Sequence, residues 1–275
     1  MITLGANTVL FAGYDLATAL RHIALAGYDG AELSAIQGMC EHLVLDDWRS
    51  QAGRIRDLAE EHGLVLTAME EARLDEARLQ KAYEAAAALG IPVINVGPGG
   101  KAGSDDDLSR QIDLLGAMAE RAHDHGVVLC VKAHVGQSIH DTPTTLRAMA
   151  AIDSPGFGID LDPSHIFRAG GGEDVVEALG AVISRVRHVH IRDCPAGARA
   201  TEGPPGAPEE QTCGRGAIDL AGCLSLLLEA PVDIPVNLEI IGAGGYELPR
   251  VAAIAADSRG YLNDCLRAAG EDRAP

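Results

Sequence analysis

The sequence predicts a single-domain (β/α)8 barrel that spans residues 1–275. Eight short apolar runs alternate with longer segments in which apolar residues recur every three or four positions. No break in composition divides the chain, and barrels of this kind commonly reach this length as one domain. An open doubly wound sheet is the alternative. It is disfavoured because the segment after the first strand has no G-x-G-x-x-G phosphate loop.

The predicted strands are nearly continuous apolar runs, which is typical of a parallel sheet covered by helices. In chain order they are residues 2–7, 30–34, 64–69, 92–97, 127–132, 156–161, 187–192 and 234–240.

The predicted helices include residues 15–27, 46–63 and 109–126. Four helical segments end in a glycine just before the next strand: Gly27, Gly63, Gly90 and Gly126. Glycine adopts the left-handed conformation that ends a helix at no steric cost. Ahead of the fifth helix, Asp141 and Thr142 are candidate N-caps and Pro143 suits the first turn.

The segment 194–216 is long and rich in proline and glycine, and it follows the seventh strand. A long βα loop of a barrel often covers the site. The alternative is a plain surface excursion, and the sequence does not decide between them.

The net charge of −18 disfavours nucleic acid and anionic membranes as partners, because a surface this acidic repels phosphates. No apolar run approaches the roughly 18 residues of a membrane helix, and the N-terminus lacks the basic start of a signal peptide. The six cysteines form no C-x-x-C pair, which is typical of reduced thiols in a cytoplasmic protein.

Ionisable side chains gather at the carboxyl ends of the predicted strands, and in a barrel these ends face one mouth. Polar groups inside apolar strands are costly to bury unless they are paired or bound, so their concentration predicts a functional site. They are Glu32, Glu70, Glu71, Lys132, His134, Asp160, Asp162, His165, His188, His190, Arg192, Asp193 and Glu239.

Strand alternation places Asp162, His190 and Glu239 where three strands converge. Two carboxylates and an imidazole suit Mn²⁺, Mg²⁺, Co²⁺ or Zn²⁺. The alternative is a cluster of salt bridges without metal. Arg192 and Asp193 could form an ion pair that orients His190.

Three further residues are candidate substrate-binding side chains. Glu32 and Glu70 lie at or near strand ends, and Arg215 lies near the end of the long loop, where it could meet a substrate carboxylate or phosphate.

Four passages resemble the xylose-isomerase-like barrel superfamily, which includes sugar isomerases, ketose 3-epimerases, inosose dehydratases and endonuclease IV-like repair enzymes. They are GYDGAELSAI (27–36), GIDLDPSHIFRAG (158–170), RHVHIRDC (187–194) and NLEIIG (237–242). The resemblance implies that Asp162, His190 and Glu239 are metal ligands and that His165 binds substrate or a further metal.

The chain departs from this pattern at Lys132, where the resemblance implies a fourth ligand, glutamate. Three arrangements are open. Lys132 could point aside while His134 completes the metal shell. Lys132 could be a neutral base, its pKa lowered by burial and the metal. Its ammonium could instead replace the metal, paired with Asp162 and Glu239.

The resemblance implies an isomerase or epimerase of a sugar, keto-sugar or cyclic polyol, in which a metal polarises a carbonyl and a base removes the neighbouring proton. Glu239, Lys132 and His165 are the candidate catalytic residues, and His134 is a candidate ligand or substrate contact. A lyase or dehydratase acting on a keto-inositol or 3-keto-glycoside is the first alternative. A metal-free binding or regulatory barrel is the second. A homo-oligomer is compatible with all three, and an endonuclease fits the acidic chain poorly.

Overall fold

The computed structural model describes residues 2–203 and 205–271, and in this part of the chain the predicted barrel is present. Eight parallel strands follow one another in the order β1-β9-β8-β7-β6-β5-β4-β2, and pairing of β1 with β2 closes the ring. The strands are β1 (Ile2–Asn7), β2 (Gly30–Ile36), β3 (Cys40–Glu41), β4 (Val65–Ala72), β5 (Val93–Val96), β6 (Val128–Lys132), β7 (Phe157–Leu161), β8 (Val186–Ile191) and β9 (Ile234–Leu238).

All eight predicted strands are confirmed as barrel strands. β3 was not predicted. It is a two-residue strand that pairs antiparallel with the end of β2 and lies outside the ring.

Helices connect consecutive barrel strands, and a last helix follows β9. They are α1 (Leu16–Leu25), α2 (Trp48–Glu61), α3 (Glu76–Leu89), α4 (Asp105–Asp124), α5 (Thr142–Ala151), α6 (Pro163–Arg168), α7 (Val175–Val182), α8 (Pro208–Gln211), α9 (Leu220–Leu227) and α10 (Leu248–Glu271). Short 3-10 helices span Thr8–Phe11, Leu45–Asp47, Ile183–Arg185 and Ala196–Ala198.

The predicted helix ends are confirmed. The four glycines that precede strands all have positive φ, between 65° and 88°. Asp141 caps α5 by accepting the Thr144 N–H, and Pro143 lies in the first turn.

The apolar core fills the space between the strands and the surrounding helices, where side chains such as Leu20, Tyr83 and Leu224 are fully buried. The interior of the barrel also contains polar side chains. Glu32, Asn95 and Asn237 are also fully buried there. Buried polar groups need partners, and Asn95 donates to Glu32 while Asn237 bonds Thr67. A polar layer therefore lies beneath the mouth.

All six cysteines are free thiols, as predicted. None of the described helices is both long and apolar enough to cross a bilayer.

Candidate active site

A cavity of about 370 Å³ opens at the carboxyl ends of the strands, where the sequence predicted a mouth. Its charged and imidazole side chains are Glu70, Lys132, His134, His165, Arg168, Arg192, Glu202 and Glu239.

The loop 194–216 supplies Glu202, Gly203 and Pro205 to the cavity wall, which supports a covering role for this loop. Asp193 holds the base of the loop by accepting backbone N–H groups from Cys194, Gly214 and Ile218. The predicted Arg192–Asp193 ion pair is therefore wrong, because the Asp193 carboxylate is committed to this backbone.

Lys132 lies at the floor of the cavity, at the end of β6. Its Nζ donates to Glu70 Oε1 and to Glu239 Oε1, both at 3.0 Å, and lies 3.1 Å from His190 Nδ1. Burial opposes the charged form, but Glu239 and Glu70 outweigh it and raise the pKa of Lys132 above its ordinary value. Lys132 is thus an ammonium. Of the three arrangements open from sequence, the geometry matches the third, with Glu70 in the place of Asp162.

Arg192 holds the other side of Glu239. Its guanidinium pairs with Asp162 Oδ2 at 2.8 Å and with Glu239 Oε2 at 3.2 Å. Burial would raise the pKa of Glu239, but Arg192 and Lys132 lower it well below the ordinary range. Glu239 is therefore ionised and a weak base.

Asp162 is turned towards α6 and does not line the cavity. Its Oδ1 accepts the N–H groups of Ser164 and His165 as the N-cap of that helix, and its Oδ2 pairs with Arg192. Both oxygens have strong partners already, so the side chain predicted as a metal ligand is engaged in holding the site together.

The polar layer beneath Lys132 contains His190, the second predicted metal ligand. His190 Nε2 lies 2.6 Å from Glu32 Oε2, and its Nδ1 lies 2.7 Å from Asp160 Oδ2. Burial disfavours the imidazolium, but Asp160 and Glu32 raise the pKa of His190 well above its ordinary value. Glu32 was predicted to bind substrate. It is fully buried below the floor and supports His190 instead.

Two imidazoles, His134 and His165, form one wall of the cavity with ring centroids 4.0 Å apart. Burial is the largest cause that lowers the pKa of each ring, so both are neutral near pH 7.

Their hydrogen-bond partners assign opposite tautomers to the two rings. His134 Nδ1 faces the Val135 carbonyl at 2.9 Å and must donate to it, which leaves Nε2 as the basic nitrogen. His165 Nδ1 accepts the Val135 N–H at 3.2 Å and faces Arg168 Nη2 at 3.1 Å, so its proton is on Nε2. His134 is therefore a proton acceptor and His165 a donor.

Two groups of three buried side chains have ligand atoms close enough for a divalent ion, within 4.8 Å of one another. They are Glu32, His188 and His190, and Glu70, His190 and Glu239. The donor chemistry predicted from the sequence is thus present. Asp162 and His134 belong to neither group.

A divalent ion does not fit the second group as the chain arranges it. The Lys132 ammonium lies about 3 Å from a ligand atom of all three members, and a cation in the same place would be strongly repelled. The first group is sealed below the floor, with no exposure of any member. Neither group in this arrangement therefore presents a divalent ion to a substrate in the cavity.

Arg215 was predicted to contact substrate, but it does not line the cavity. Its side chain is exposed and pairs with Asp257 on α10. Sequence reasoning also missed two residues of the site. Asn7 donates to Glu70 Oε2 from the end of β1, and Arg168 lines the cavity from α6. Arg168 had a signal, since it lies three positions after His165 and shares its helix face.

A closed parallel barrel whose C-terminal mouth holds ionisable side chains has the architecture of barrel enzymes. The chain belongs to the xylose isomerase-like TIM barrel family, whose model matches residues 20–265. This agrees with the resemblance carried by the four sequence passages.

Among curated proteins the chain is similar to inosose dehydratases. It is 26% identical over 144 residues to one from Geobacillus thermodenitrificans, covering 52% of this chain and 46% of that protein. It is 28% identical over 88 residues to one from Mesomycoplasma hyopneumoniae, covering 32% and 28%. The matches thus span less than half of these relatives.

Solved structures share the whole fold at low identity. A xylose isomerase domain protein from Alicyclobacillus acidocaldarius has a TM-score of 0.76 at 18% identity, covering 98% of this chain and 100% of that one. A probable 3-DHS dehydratase from Bacillus anthracis has a TM-score of 0.75 at 16% identity, covering 96% and 99%. A D-tagatose 3-epimerase-like protein has a TM-score of 0.74 at 19% identity, covering 99% and 100%.

Proposed function

We propose that the protein is a lyase that removes water from a polyhydroxylated cyclic ketone without a divalent metal. The observation that carries the proposal is the His134–His165 pair. Among the described cavity residues, it leaves a single imidazole lone pair free, on His134 Nε2. One base on one face suits a reaction that takes a proton and returns it on the same side.

Glu239 is poorly suited to act as a second base. It is held between Lys132 and Arg192, which lower its basicity. Burial and then Glu239 raise the pKa of Glu70 to about 7, but hydrogen bonds engage both of its oxygens. Glu70 accepts from Lys132 with one oxygen and from Asn7 with the other. An epimerase needs proton transfer on two faces of a carbon, and the two-carboxylate shuttle that the family resemblance implies has lost its β6 member to Lys132.

The elimination needs no proton donor or acceptor beyond these residues. His134 Nε2 takes the proton next to the carbonyl, and the electron pair of that C–H bond moves onto the carbonyl oxygen. The ammonium of Lys132 and the guanidinium of Arg192 stabilise the resulting enolate oxygen, as fixed donors do in other enzymes. The enolate then re-forms the carbonyl. Its carbon–carbon electron pair becomes the new double bond to the next carbon, and the C–O bond on that carbon breaks. The leaving hydroxyl takes the proton back from the His134 imidazolium and departs as water.

His165 keeps its proton throughout. Its Nε2 lies 3.7 Å from Asp162 Oδ2, and Arg168 and the Val135 N–H hold its Nδ1. The names of the sequence relatives support an elimination, since inosose dehydratases remove water from a cyclic keto-polyol. The covering loop 194–216 would exclude solvent from the enolate.

The test is incubation with inosose and with 3-DHS, the compounds in the names of the relatives, in D₂O, followed by NMR. We expect loss of water to give an unsaturated ketone. His134→Gln should lower kcat by about 10²–10⁴, the usual contribution of a general base. His123→Gln, on the exposed face of α4, is the matched control and should leave kcat unchanged.

Two results would contradict the proposal. One is an inverted carbon without loss of water, which requires a second base. The other is full activity in His134→Gln with an unchanged circular dichroism spectrum.

A further inference from the structure

Arg168 is a buried cation of the cavity whose contacts are all neutral. Only 3% of the residue is exposed, and it lines the cavity from the end of α6. Its guanidinium donates to the Ser164 carbonyl at 3.2 Å and to the Gly203 carbonyl at 2.7 Å, and lies 3.1 Å from His165 Nδ1. Among the described side chains, no carboxylate oxygen lies within 4.0 Å of it.

The other two cations of the cavity are neutralised. Lys132 has Glu70 and Glu239, and Arg192 has Asp162 and Glu239. A buried charge without a counter-charge is costly, and carbonyl partners do not supply one. Burial is the largest cause that lowers the pKa of Arg168 from its ordinary value, and the more distant Asp162 charge offsets only part of it.

We propose that Arg168 binds a carboxylate of the substrate, so that the molecule taken by this cavity is a polyhydroxylated cyclic keto acid. This deepens the proposed function and rests on it. A guanidinium has five N–H donors. Nε donates to Ser164, Nη1 to Gly203, and Nη2 faces the His165 ring at 3.1 Å (Nδ1) and 3.5 Å (Nε2), so Nη1 and Nη2 each keep an N–H for a ligand. Guanidinium and carboxylate match geometrically in such a pair.

A phosphate is the less suitable anion for this position. A dianion would face Glu239 at the floor and Glu202 at the rim, with a single unneutralised cation to balance it. A monoanionic carboxylate adds only one negative charge, beside the cavity cation that has no carboxylate in contact among the described side chains.

Arg168 also tethers the covering loop through Gly203, and the experiment must separate the two roles. The probes are quinate, a cyclohexane polyol with a carboxylate and no carbonyl to react, and myo-inositol, its uncharged counterpart. Isothermal titration calorimetry on the full chain gives both dissociation constants. We expect the wild type to bind quinate at least about tenfold more tightly, the usual strength of a charge-assisted contact.

Arg168→Gln should abolish the preference for quinate. Arg168→Lys, which keeps the charge but cannot reproduce the three hydrogen bonds, should retain part of it. Arg215→Gln removes an exposed arginine and should retain all of it. A preference that Arg168→Gln keeps, or equal binding of the two probes by the wild type, would overturn the proposal. Tighter binding of glucose 6-phosphate than of quinate would overturn the choice of carboxylate.

The binding result and the elimination assay fail separately. A quinate preference that depends on Arg168, with no elimination from any cyclic ketone, would leave the carboxylate site standing and refute the lyase. Elimination from uncharged inosose, with no preference for quinate, would do the reverse.

Discussion

Replacing Lys132 by glutamate tests whether the ammonium stands where a metal would otherwise be held. The Lys132 ammonium contacts Glu70 and Glu239 at 3.0 Å each, and the substitution changes the local charge by two units. Removing one partner of a buried ion pair costs about 3–5 kcal/mol. For a chain of this size each kcal/mol lowers the melting temperature by about 2–4 °C. We therefore expect Lys132→Glu to melt roughly 6–20 °C below the wild type in EDTA.

The same variant should gain a metal site, because it adds a carboxylate to Glu70, His190 and Glu239. A metal at about 100 times its dissociation constant restores about 2.7 kcal/mol of stability. Differential scanning fluorimetry with Mn²⁺ or EDTA, together with elemental analysis, measures both effects. Lys101→Glu makes the same charge change at an exposed position and should respond to neither. The reasoning is refuted if the wild type purifies with one equivalent of metal and melts lower in EDTA.

Three further substitutions test the packing around the cavity by urea denaturation. Burial and then Glu239 raise the pKa of Glu70 to about 7. Its preference for the protonated form stabilises the fold fully below about pH 4.5, and this stability is lost as the pH rises through 7. Glu70→Gln cannot titrate and should therefore lose less stability over that range than the wild type. Gly5→Ala should cost about 1–3 kcal/mol, because its Cβ would lie 2.0 Å from Asn237 Oδ1. Asp162→Ala should cost about 3–5 kcal/mol, since it leaves the buried Arg192 with a weaker set of partners and α6 without its cap.

The barrel could be predicted because its signals are local and repeated. Four of the strands are preceded by a helix that ends at a glycine, and the positive φ of Gly27, Gly63, Gly90 and Gly126 agrees with the predicted reason. β3 carries no such signal. Two residues cannot show a period, and their pairing with β2 depends on the turn between them.

The residues of the site could be predicted from their positions at strand ends, but the ion pairs between them could not. Lys132, Glu70 and Glu239 were each placed at the mouth by their position in a strand, while the choice of partner depends on side-chain directions across the barrel. Asp162 is instructive, because it is followed by Pro163 and the sequence thus has the start of a helix with an N-cap. That local role engages Oδ1 of Asp162 with two backbone N–H groups.

The charges of the cavity side chains connect these observations. Exchanging a carboxylate for Lys132 removes a negative charge and adds a positive one at the floor, so Glu70 and Glu239 are neutralised internally and Asp162 is left to Arg192. Arg168 then remains as the cation without an acidic partner in the described part of the cavity. The proposed anionic substrate would place its carboxylate at this guanidinium and its carbonyl at the Lys132 ammonium. The quinate experiment tests the charge at Arg168, and the Lys132→Glu experiment independently tests the charge at the cavity floor.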